Sequence, residues 1–441
     1  MGPVHHLSRR EFIRTGAVAA ASGWAIPYII PSGVLAQDGE PGANGRIGVG
    51  AIGVGRQGGA LVGALAGMVQ ARLVAVADVN LPRAQEVGAK YGAETYQDYR
   101  RLLERDDIDA VISATVEPWR AITCIHACQA GKDVYAEKPL SWTIREGRLM
   151  VEAVRKYDRV LQTGSQQRSQ KENRFGCELV RNGRIGKVQR VIANNYPSPW
   201  ECALPEQPVP DGLDWDFWCG PTEPVPFNAD LYIPRGNPGW LSFRTYSGGE
   251  MTGWGAHGFD QVQWVLGMDE SGPVEVWTEG EPFSPPTYGQ PESRDRGNGV
   301  CSQPRVFMRY PGDIVMELGN GPGGGAIFIG DKGTLTIDRG KCVSDPPGIA
   351  AEPIRDDEIR LAVSDDHIGN WLDCIKSRER PICDVEVGHR SATVCHLGNL
   401  ARQLGRRLQW DPVAERFVGD EEANQHLDRP RRAKYDLPAT I

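Results

Sequence analysis

Three glycines near the start of the chain have the spacing of a phosphate-binding loop. Residues 53–58 read G-V-G-R-Q-G, and they follow the apolar run Ile47–Ile52 and precede a helix-like stretch. In such a loop Gly53 permits a tight turn, Gly55 lets the backbone approach a pyrophosphate, and Gly58 lets the helix pack closely on the strand. The pattern predicts a dinucleotide-binding unit, with a glycine-rich turn lacking that function as the alternative.

An acidic residue follows at the distance that such a unit requires. The apolar run 73–77 ends in Asp78, about 20 residues beyond Gly58. A carboxylate at this place accepts a hydrogen bond from the ribose 2′-hydroxyl of the nucleotide and repels a 2′-phosphate. Since Val79 and Asn80 follow without a nearby arginine, Asp78 favours NAD over NADP as the cofactor.

A lysine stands at the end of another apolar run. Residues 133–136 are followed by Glu137, Lys138 and Pro139. At the carboxyl end of a sheet strand, beside the nucleotide, a lysine ammonium can donate a hydrogen bond to a substrate oxygen. The same three letters are more frequent on solvated surfaces, but their position behind a dinucleotide loop favours a role in catalysis.

The alternation of apolar runs predicts how these residues meet. Within residues 46–164, β-like runs alternate with amphipathic helical stretches, as in the doubly wound parallel sheet of an NAD-binding α/β domain. Residues 165–412 have the pattern of an α+β domain with a mostly antiparallel sheet, which we expect to bind substrate and to join subunits. Inside it, the Trp- and Pro-rich excursion 196–240 suits a binding segment or lid, or an arm between subunits. Residues 413–441 are expected to form a C-terminal tail.

The first 36 residues have the features of a twin-arginine export signal. Arg9 and Arg10 precede a mildly apolar stretch, 15–30, and a small-residue exit at 34–36. The apolar stretch is too short and too rich in Gly, Ala and Pro for a stable membrane span. We therefore expect export through the twin-arginine machinery to the periplasm or another extracytoplasmic space, with chance basic residues as the alternative.

Composition narrows the class of ligand. The 441 residues carry a formal net charge of -8 and no basic patch, which argues against nucleic-acid binding. The ten cysteines form no C-x-x-C pair, so no zinc site is expected. His367, His389 and His396 show no ligand spacing and are expected to be structural, so we expect no metal.

The motifs together resemble the Gfo/Idh/MocA family of glucose-fructose oxidoreductases, inositol dehydrogenases and rhizopine-catabolism proteins, and with the export signal they resemble its secreted bacterial branch. The shared motifs are the glycine loop 53–58, Ala114-Thr115, Glu137-Lys138-Pro139, G-S-Q-Q-R at 164–168, L-D-W-D-F-W at 213–218 with Gly220-Pro221, Gly248-Gly249, W-G-A-H at 254–257 with Asp260, N-W-L-D-C-I at 370–375 and W-D-P at 410–412. The resemblance covers nearly the whole chain beyond the leader.

This resemblance implies hydride transfer between NAD and a hydroxyl-bearing carbon of a sugar, cyclitol or derivative. Lys138 and His257 would then flank the reacting alcohol, with histidine as the acid/base, a task that suits its ordinary pKa of about 6.5. The residues expected to bind the cofactor are Gly53, Gly55, Arg56, Gln57, Gly58, Asp78, Thr115, Trp119, Glu137 and Lys138.

Two departures from the family pattern bear on catalysis. Family members commonly carry an aspartate four residues before the histidine and a second histidine after it, but this chain has Gly253 and Gly258. In the segment 116–120, V-E-P-W-R, the tryptophan of a family H-W-H group remains and its histidines do not. Asp260, three residues from His257 on an expected helix, is a candidate replacement carboxylate, with a solvent-facing role as the alternative. Glu250 is a second candidate.

Substrate contacts are expected from planar donors and acids in the second domain. Arg168, Arg244, Tyr246 and Asp260 are the candidates. The resemblance also suggests a dimer or tetramer with sheet faces packed together. Two alternatives to a dehydrogenase stay open: a redox-neutral NAD-dependent glycosidase or epimerase, and a catalytically weakened binding protein.

Overall fold

A parallel sheet forms the first part of the chain. The computed structural model describes residues 45–233, 239–289, 303–438 and 440–441, so the predicted leader, 1–36, lies outside the described residues. The first elements are β1 (Ile47–Ile52), α1 (Arg56–Leu65), β2 (Ala71–Ala77), α2 (Leu81–Tyr91), β3 (Glu94–Tyr96), α3 (Tyr99–Leu103), β4 (Ala110–Ser113), α4 (Glu117–Gln129), β5 (Asp133–Ala136), α5 (Ile144–Lys156) and β6 (Leu161–Thr163).

The strands of this sheet run in the order β3-β2-β1-β4-β5-β6 and are all parallel within the described residues. The register pairs Ile52 with Ala77 and with Ser113, and Ser113 with Ala136. Four strands therefore end level, on both sides of the point where the strand order reverses. Ligands of doubly wound sheets bind at this point.

The second part of the chain contains a larger, mixed sheet. Its elements are α6 (Lys171–Arg181), β7 (Val188–Asn194), β8 (Glu201–Cys202), α7 (Trp215–Cys219), α8 (Ala229–Tyr232), α9 (Glu250–Gly253), α10 (Gly255–Leu266), β9 (Glu275–Glu279), β10 (Thr287–Tyr288), β11 (Arg305–Tyr310), β12 (Ile314–Gly319), β13 (Ala326–Gly330), β14 (Thr334–Asp338), β15 (Lys341–Asp345), α11 (Gly348–Ala351), α12 (His367–Ser377), α13 (Val385–Leu404), β16 (Leu408–Asp411), β17 (Arg416–Phe417) and α14 (Glu421–Asn424). Short 3₁₀ turns span Gln166–Ser169, Trp240–Ser242, Gln425–Leu427 and Ala433–Tyr435.

This sheet confirms the predicted fold class. In the described part of the chain its order is β15-β14-β13-β7-β12-β11-β9-β16-β17, and every pair is antiparallel except β7 with β12. Helices α10 and α13 cover one face of the sheet and supply apolar side chains such as Phe259 and Leu397 to its core. The helix that carries His257 is thereby held rigidly by a large apolar cluster.

The excursion 196–240 packs against the first sheet. The amide of Leu81 donates to the carbonyl of Gly212 over 3.0 Å, and the amide of Asp214 donates to the carbonyl of Val79 over the same distance. Helix α7 begins at this contact because the Asp214 carboxylate accepts from the amide of Phe217. Backbone hydrogen bonds thus connect the described residues of the excursion to the loop that follows Asp78.

The three histidines expected to be structural each have a hydrogen-bond partner in the folded chain. Nε2 of His367 lies 2.9 Å from the carbonyl of Thr163, and Nε2 of His396 lies 3.1 Å from the carbonyl of Ser141. Nε2 of His389 lies 2.8 Å from a Glu415 oxygen. Among the described residues no group of three His, Cys, Asp or Glu side chains is placed to hold a metal, and no helix is long and apolar enough to cross a membrane.

Residues 413–441, the predicted C-terminal tail, pack against both domains within the part that the structure describes. Strand β17 extends the second sheet, and the chain then returns to the first domain. There the Arg431 guanidinium lies 2.8 Å from the Glu146 carboxylate; the two side chains are 6% and 0% exposed. Sequence reasoning missed this contact because it joins residues nearly 300 positions apart.

Replacing Arg431 tests whether this return stabilises the fold. Arg431→Met leaves the Glu146 carboxylate buried without its cation, so the free energy of unfolding should fall by about 3–5 kcal/mol. Arg406→Met is the matched control, since Arg406 pairs with Asp420 at the surface and should cost less than about 1 kcal/mol. Chemical denaturation measures both; equal effects of the two variants would contradict the structural role of Arg431.

Candidate active site

The glycine loop closes onto the edge of the first sheet. Gly53 has φ of +79°, a conformation that side-chain-bearing residues rarely adopt. A Cβ atom at Gly58 would lie 1.9 Å from the carbonyl oxygen of Gly53, so only glycine lets α1 start this close to the strand. Gly55 is the N-cap of α1 and makes no side-chain cap. The amides at this helix start therefore face an anion-binding position.

A cavity opens beside this loop and contains most of the predicted cofactor residues. Gly53, Gly55, Arg56, Gln57, Asp78, Thr115 and Trp119 line it. Gly58 does not line the cavity because it packs beneath the loop, and Glu137 and Lys138 lie outside the lining as well. The predicted dinucleotide residues are thus brought together, with the Glu137–Lys138 turn at a separate position.

Asp78 is fixed by the backbone and by an arginine. One carboxylate oxygen accepts from the amide of Val54 over 3.0 Å, and the other accepts from the amide of Asn80 over 2.9 Å. Nη1 of Arg83 lies 3.5 Å from Asp78. Burial raises the pKa of Asp78, and the Arg83 charge opposes that rise. The expectation of no nearby arginine is therefore wrong: Arg83 lies one helical turn further on and folds back.

Aromatic residues of the excursion cover the same cavity. Phe217, Trp218, Tyr232 and Trp240 line it opposite the glycine loop. The Tyr232 ring lies 5.2 Å beneath the Arg83 guanidinium. The sequence analysis did not predict that these four residues line the cofactor cavity. The high density of aromatic residues in the excursion could have indicated a binding surface there.

Trp119 anchors this aromatic cover. Its Nε1 donates to the carbonyl of Phe217 over 2.9 Å, and its ring meets the rings of Phe217 and Tyr435 edge-on at 5.0 Å each. Trp119 therefore joins the helix after β4 to the excursion and to the C-terminal segment.

Glu137 holds the Lys138 turn rather than facing the cavity. Its carboxylate accepts from the Gln57 side chain over 2.8 Å, from the Gln166 side chain over 3.1 Å, and from the amide of Lys138 over 3.0 Å. The buried Glu137 carboxylate thus connects the glycine loop to the Lys138 turn. The peptide bond between Lys138 and Pro139 is cis.

Lys138 reaches the segment that carries His257. Its Nζ donates to the carbonyl of Gly253 over 3.1 Å. Gly253 ends α9, and α10 begins two residues later, so that the His257 amide donates to the carbonyl of Trp254 over 2.9 Å. His257 is 5% exposed, with its ring 5.9 Å from that of Trp254. The two predicted catalytic residues therefore belong to one connected assembly.

Two buried charged residues hold this assembly, and sequence reasoning assigned neither a role. Arg120 donates to the carbonyls of Pro139 and Thr115. Glu117 accepts from the Ser247 hydroxyl over 2.6 Å and from the Thr252 hydroxyl over 3.2 Å. Burial raises the pKa of Glu117 and lowers that of Arg120.

Glu117 and Arg120 lie one turn apart on α4, so a single helical turn supports both sides of the contact between Lys138 and Gly253. These are positions in the segment where the family pattern has its histidine group. The sequence did contain a signal for their role, because Glu117 and Arg120 depart from the family pattern in this segment. Charged residues that become buried require specific partners.

The structure explains why Gly258 stands at the position where the family pattern has a second histidine. A Cβ atom at Gly258 would lie 2.1 Å from the hydroxyl oxygen of Tyr196, so the phenol occupies the space of a side chain there. The Tyr196 hydroxyl donates to the carbonyl of Gly323 over 3.0 Å. Beside it is a cavity of about 440 Å³ whose lining includes Trp254 and Arg339.

Arg168 and Asp260, two of the predicted substrate contacts, line neither of the cavities described above. They pair with each other in the core, at 2.9 Å and with 2% exposure each. Arg168 also bonds to Asp269 at 2.7 Å, and Asp260 accepts from the Ser391 hydroxyl. Although burial disfavours the charged guanidinium, the two carboxylates keep the pKa of Arg168 well above its ordinary value. Arg168 and Asp260 therefore already have charged partners within the protein.

Tyr246 and Arg244, the other two predicted substrate contacts, also line neither the cavity beside the glycine loop nor the one beside Trp254. Tyr246 is fully buried, its hydroxyl donates to the Cys219 sulfur over 3.3 Å, and burial raises its pKa. Arg244 lines a different cavity, where its guanidinium donates to Gln403 over 3.0 Å. Glu250, the other candidate carboxylate, lines the 440 Å³ cavity beside Trp254.

Matches to protein-family models show to which family the chain belongs. Residues 47–165 match the model of an oxidoreductase family with an NAD-binding Rossmann fold, and residues 187–437 match the C-terminal alpha/beta domain of that family. The chain belongs to the Gfo/Idh/MocA oxidoreductase family. The NAD-binding Rossmann domain of this family includes the glycine loop, and the cradle at Gly53 and Gly58 fits a nicotinamide dinucleotide.

The curated relatives match only part of the chain. The chain is 34% identical to myo-inositol 2-dehydrogenase of Thermotoga maritima over 153 residues, which is 34% of this chain and 46% of that protein. It is 26% identical to the rhizopine catabolism protein MocA of Rhizobium meliloti over 276 residues, 61% of this chain and 74% of the relative. The aligned part thus spans less than half of the inositol dehydrogenase.

Solved structures share the fold at low identity. The aldose-aldose oxidoreductase of Caulobacter crescentus superposes with a TM-score of 0.58 at 18% identity, over 82% of this chain and 99% of the other. The WlbA dehydrogenase of Bordetella pertussis, in complex with NADH and UDP-GlcNAcA, gives 0.58 at 18% identity, over 83% and 99%. At this identity the likeness establishes the shared fold alone.

The pair formed by Asp78 and Arg83 predicts how cofactor preference can be changed. In Asp78→Ser the repulsion of a 2′-phosphate disappears and Arg83 is released to pair with it, so NADP should bind at least about tenfold more tightly than in the wild type. The double variant Asp78→Ser with Arg83→Gln is the control and should gain less NADP affinity than Asp78→Ser, because it loses the repulsion but lacks the cation. Titration by nucleotide fluorescence measures both variants; an equal gain in the two would contradict the role of Arg83.

Proposed function

We propose that this protein is an NAD-dependent dehydrogenase that oxidises a secondary hydroxyl of a sugar or cyclitol. The hydrogen bond from Lys138 to the carbonyl of Gly253 carries the proposal. It joins the carboxyl edge of the Rossmann sheet to the segment directly before the helix of His257, as a reaction between a nicotinamide and an alcohol requires. The names of the inositol dehydrogenase relatives support the substrate class.

The chemistry divides between the cofactor and the chain. A nicotinamide held by the glycine loop and Asp78 would supply the hydride acceptor for the carbon that bears the reacting hydroxyl. The Lys138 ammonium donates a hydrogen bond to the hydroxyl oxygen and orients it. His257 takes up the hydroxyl proton as general base. Arg120 and Glu117 are positioning residues, because they contact the two backbone segments that carry this pair.

NAD is the proposed cofactor. The Asp78 carboxylate lies at the end of β2 among the cavity residues, where it can accept from a ribose hydroxyl. Arg83 neutralises part of its charge, so the discrimination against NADP is expected to be weaker than for an unpaired carboxylate.

The proposed sugar position is the 440 Å³ cavity beside Trp254. Trp254, which lines this cavity, lies three residues before His257 in the sequence. The polar side chains of Asn194, Asp338 and Arg339 lie beside the Trp254 ring in the lining. Hydroxyl-rich rings are recognised by such mixtures of polar groups and aromatic faces. This location replaces Arg168, Tyr246 and Asp260 as the source of specificity.

The leader supports a proposed extracytoplasmic location. Twin arginines before a short apolar stretch suit export of a folded protein that has taken up its nucleotide in the cytoplasm. We also propose a homo-oligomer, since the second sheet offers a broad face for symmetric packing.

The direct test is reduction of NAD by the purified protein with a panel of myo-inositol, glucose, galactose and glucuronate. We expect the absorbance of reduced nicotinamide to rise with at least one of them. His257→Asn and Lys138→Met should lower kcat at least about 100-fold, while NAD binding to His257→Asn stays unchanged. The matched control for Lys138→Met is Lys90→Met, which alters the same residue type at an exposed helical position away from the site.

Each other outcome has a definite meaning. NAD binding without reduction, together with conversion of a sugar substrate, would replace the dehydrogenase by a redox-neutral glycosidase or epimerase. NAD binding without any turnover would point to a binding protein that lacks the family aspartate. Failure to bind NAD would refute the cofactor assignment.

A further inference from the structure

A second polar cavity lies apart from the cofactor and sugar positions. It has a volume of about 520 Å³ and is enclosed by Trp142, Arg244, the end of α13, and the segment 425–430. It shares no lining residue with the cavity beside the glycine loop or with the one beside Trp254. The proposed dehydrogenase reaction leaves it unused.

Arg429 is the most unusual residue of this cavity. Its guanidinium stacks 4.7 Å from the Trp142 ring, and its Nη1 donates to the carbonyl of Arg244 over 2.7 Å. No carboxylate of the described residues lies within ion-pair distance of it. Burial and then the charge of Arg244 lower its pKa to about 10, so it remains a cation at neutral pH. A charge held this way without a counter-ion favours an anionic ligand.

The acids around the cavity are largely occupied elsewhere. Asp428 bonds to Arg431 at 2.7 Å and lies 3.5 Å from Arg145. Glu201 lies 3.8 Å from Arg244, and Glu223 is exposed. Glu117, Glu146 and Glu201 favour the charged form of Arg429 from a distance, but none of these carboxylates forms an ion pair with it.

A neutral histidine adds an acceptor to the lining. Nε2 of His396 lies 3.1 Å from the carbonyl of Ser141 and must carry the proton, since a carbonyl only accepts. Burial lowers the pKa of His396 to about 3, so the ring is neutral and Nδ1 is an acceptor. An acceptor of this kind suits a hydroxyl group.

We propose that this cavity is a second ligand site for a small polyhydroxylated anion, such as a sugar acid or a sugar phosphate. Arg429 and Arg244 bind the carboxylate or phosphate, and His396 accepts from a hydroxyl. Trp142 keeps the Arg429 guanidinium in place. The inference does not depend on the proposed dehydrogenase activity, because it rests on residues that line neither of the other cavities.

Calorimetric titration of the whole protein without NAD tests this site. The probes are glucuronate for a carboxylate, glucose 6-phosphate and inorganic phosphate for a phosphate, and glucose as the neutral reference. We expect glucuronate or glucose 6-phosphate to bind and glucose not to bind. Arg429→Gln should weaken that binding at least about tenfold, because a charge-assisted hydrogen bond is lost. Inorganic phosphate should bind more weakly than the sugar ligand.

Arg101→Gln is the matched control, since Arg101 is an exposed arginine that pairs with Glu104 at the surface. It should leave binding unchanged. Arg244→Gln, at a side chain that is 45% exposed, should also weaken binding, and it replaces Arg429→Gln as the test if that variant does not fold. Failure of both sugar anions to bind, equal binding of glucose, or a loss of binding with Arg339→Gln, in the cavity beside Trp254, but not with the Arg429 and Arg244 variants would each overturn the proposal.

Discussion

The level ends of four parallel strands are the constraint on which the site depends. The register of β1, β2, β4 and β5 brings the residues that follow each strand to one edge of the sheet. The glycine loop, Asp78, Thr115 and the Lys138 turn are distant in sequence and meet for this reason. The second sheet then needs only to hold a helix against that edge, and the apolar cluster around α10 and α13 does so.

The sequence predicted the parts of the site that follow local rules. The loop glycines, Asp78 and Lys138 each follow an apolar run, and a parallel sheet places such residues together without further information. The contact of Arg83 with Asp78 escaped because a helix turn separates them, and the aromatic cover escaped because the excursion has no periodicity. Short strands such as β3 and β17 carried too few residues for a pattern.

Charged residues were the hardest to interpret from sequence. Arg168 and Asp260 have the types of substrate-binding groups, yet they satisfy each other in the core. Glu117 and Arg120 drew attention only as departures from the family, yet they anchor the Lys138 turn and the segment before His257. In a low-dielectric interior a charge needs a specific partner, and the identity of that partner depends on the tertiary structure.

The acceptor for Lys138 belongs to the main chain. A carbonyl oxygen at position 253 is present whichever amino acid the gene encodes there, so evolution can exchange that side chain without losing this contact. The polypeptide backbone thus makes the orientation of the lysine independent of the side chain at residue 253. A substitution at this position can change the surroundings of the lysine while its acceptor stays the same.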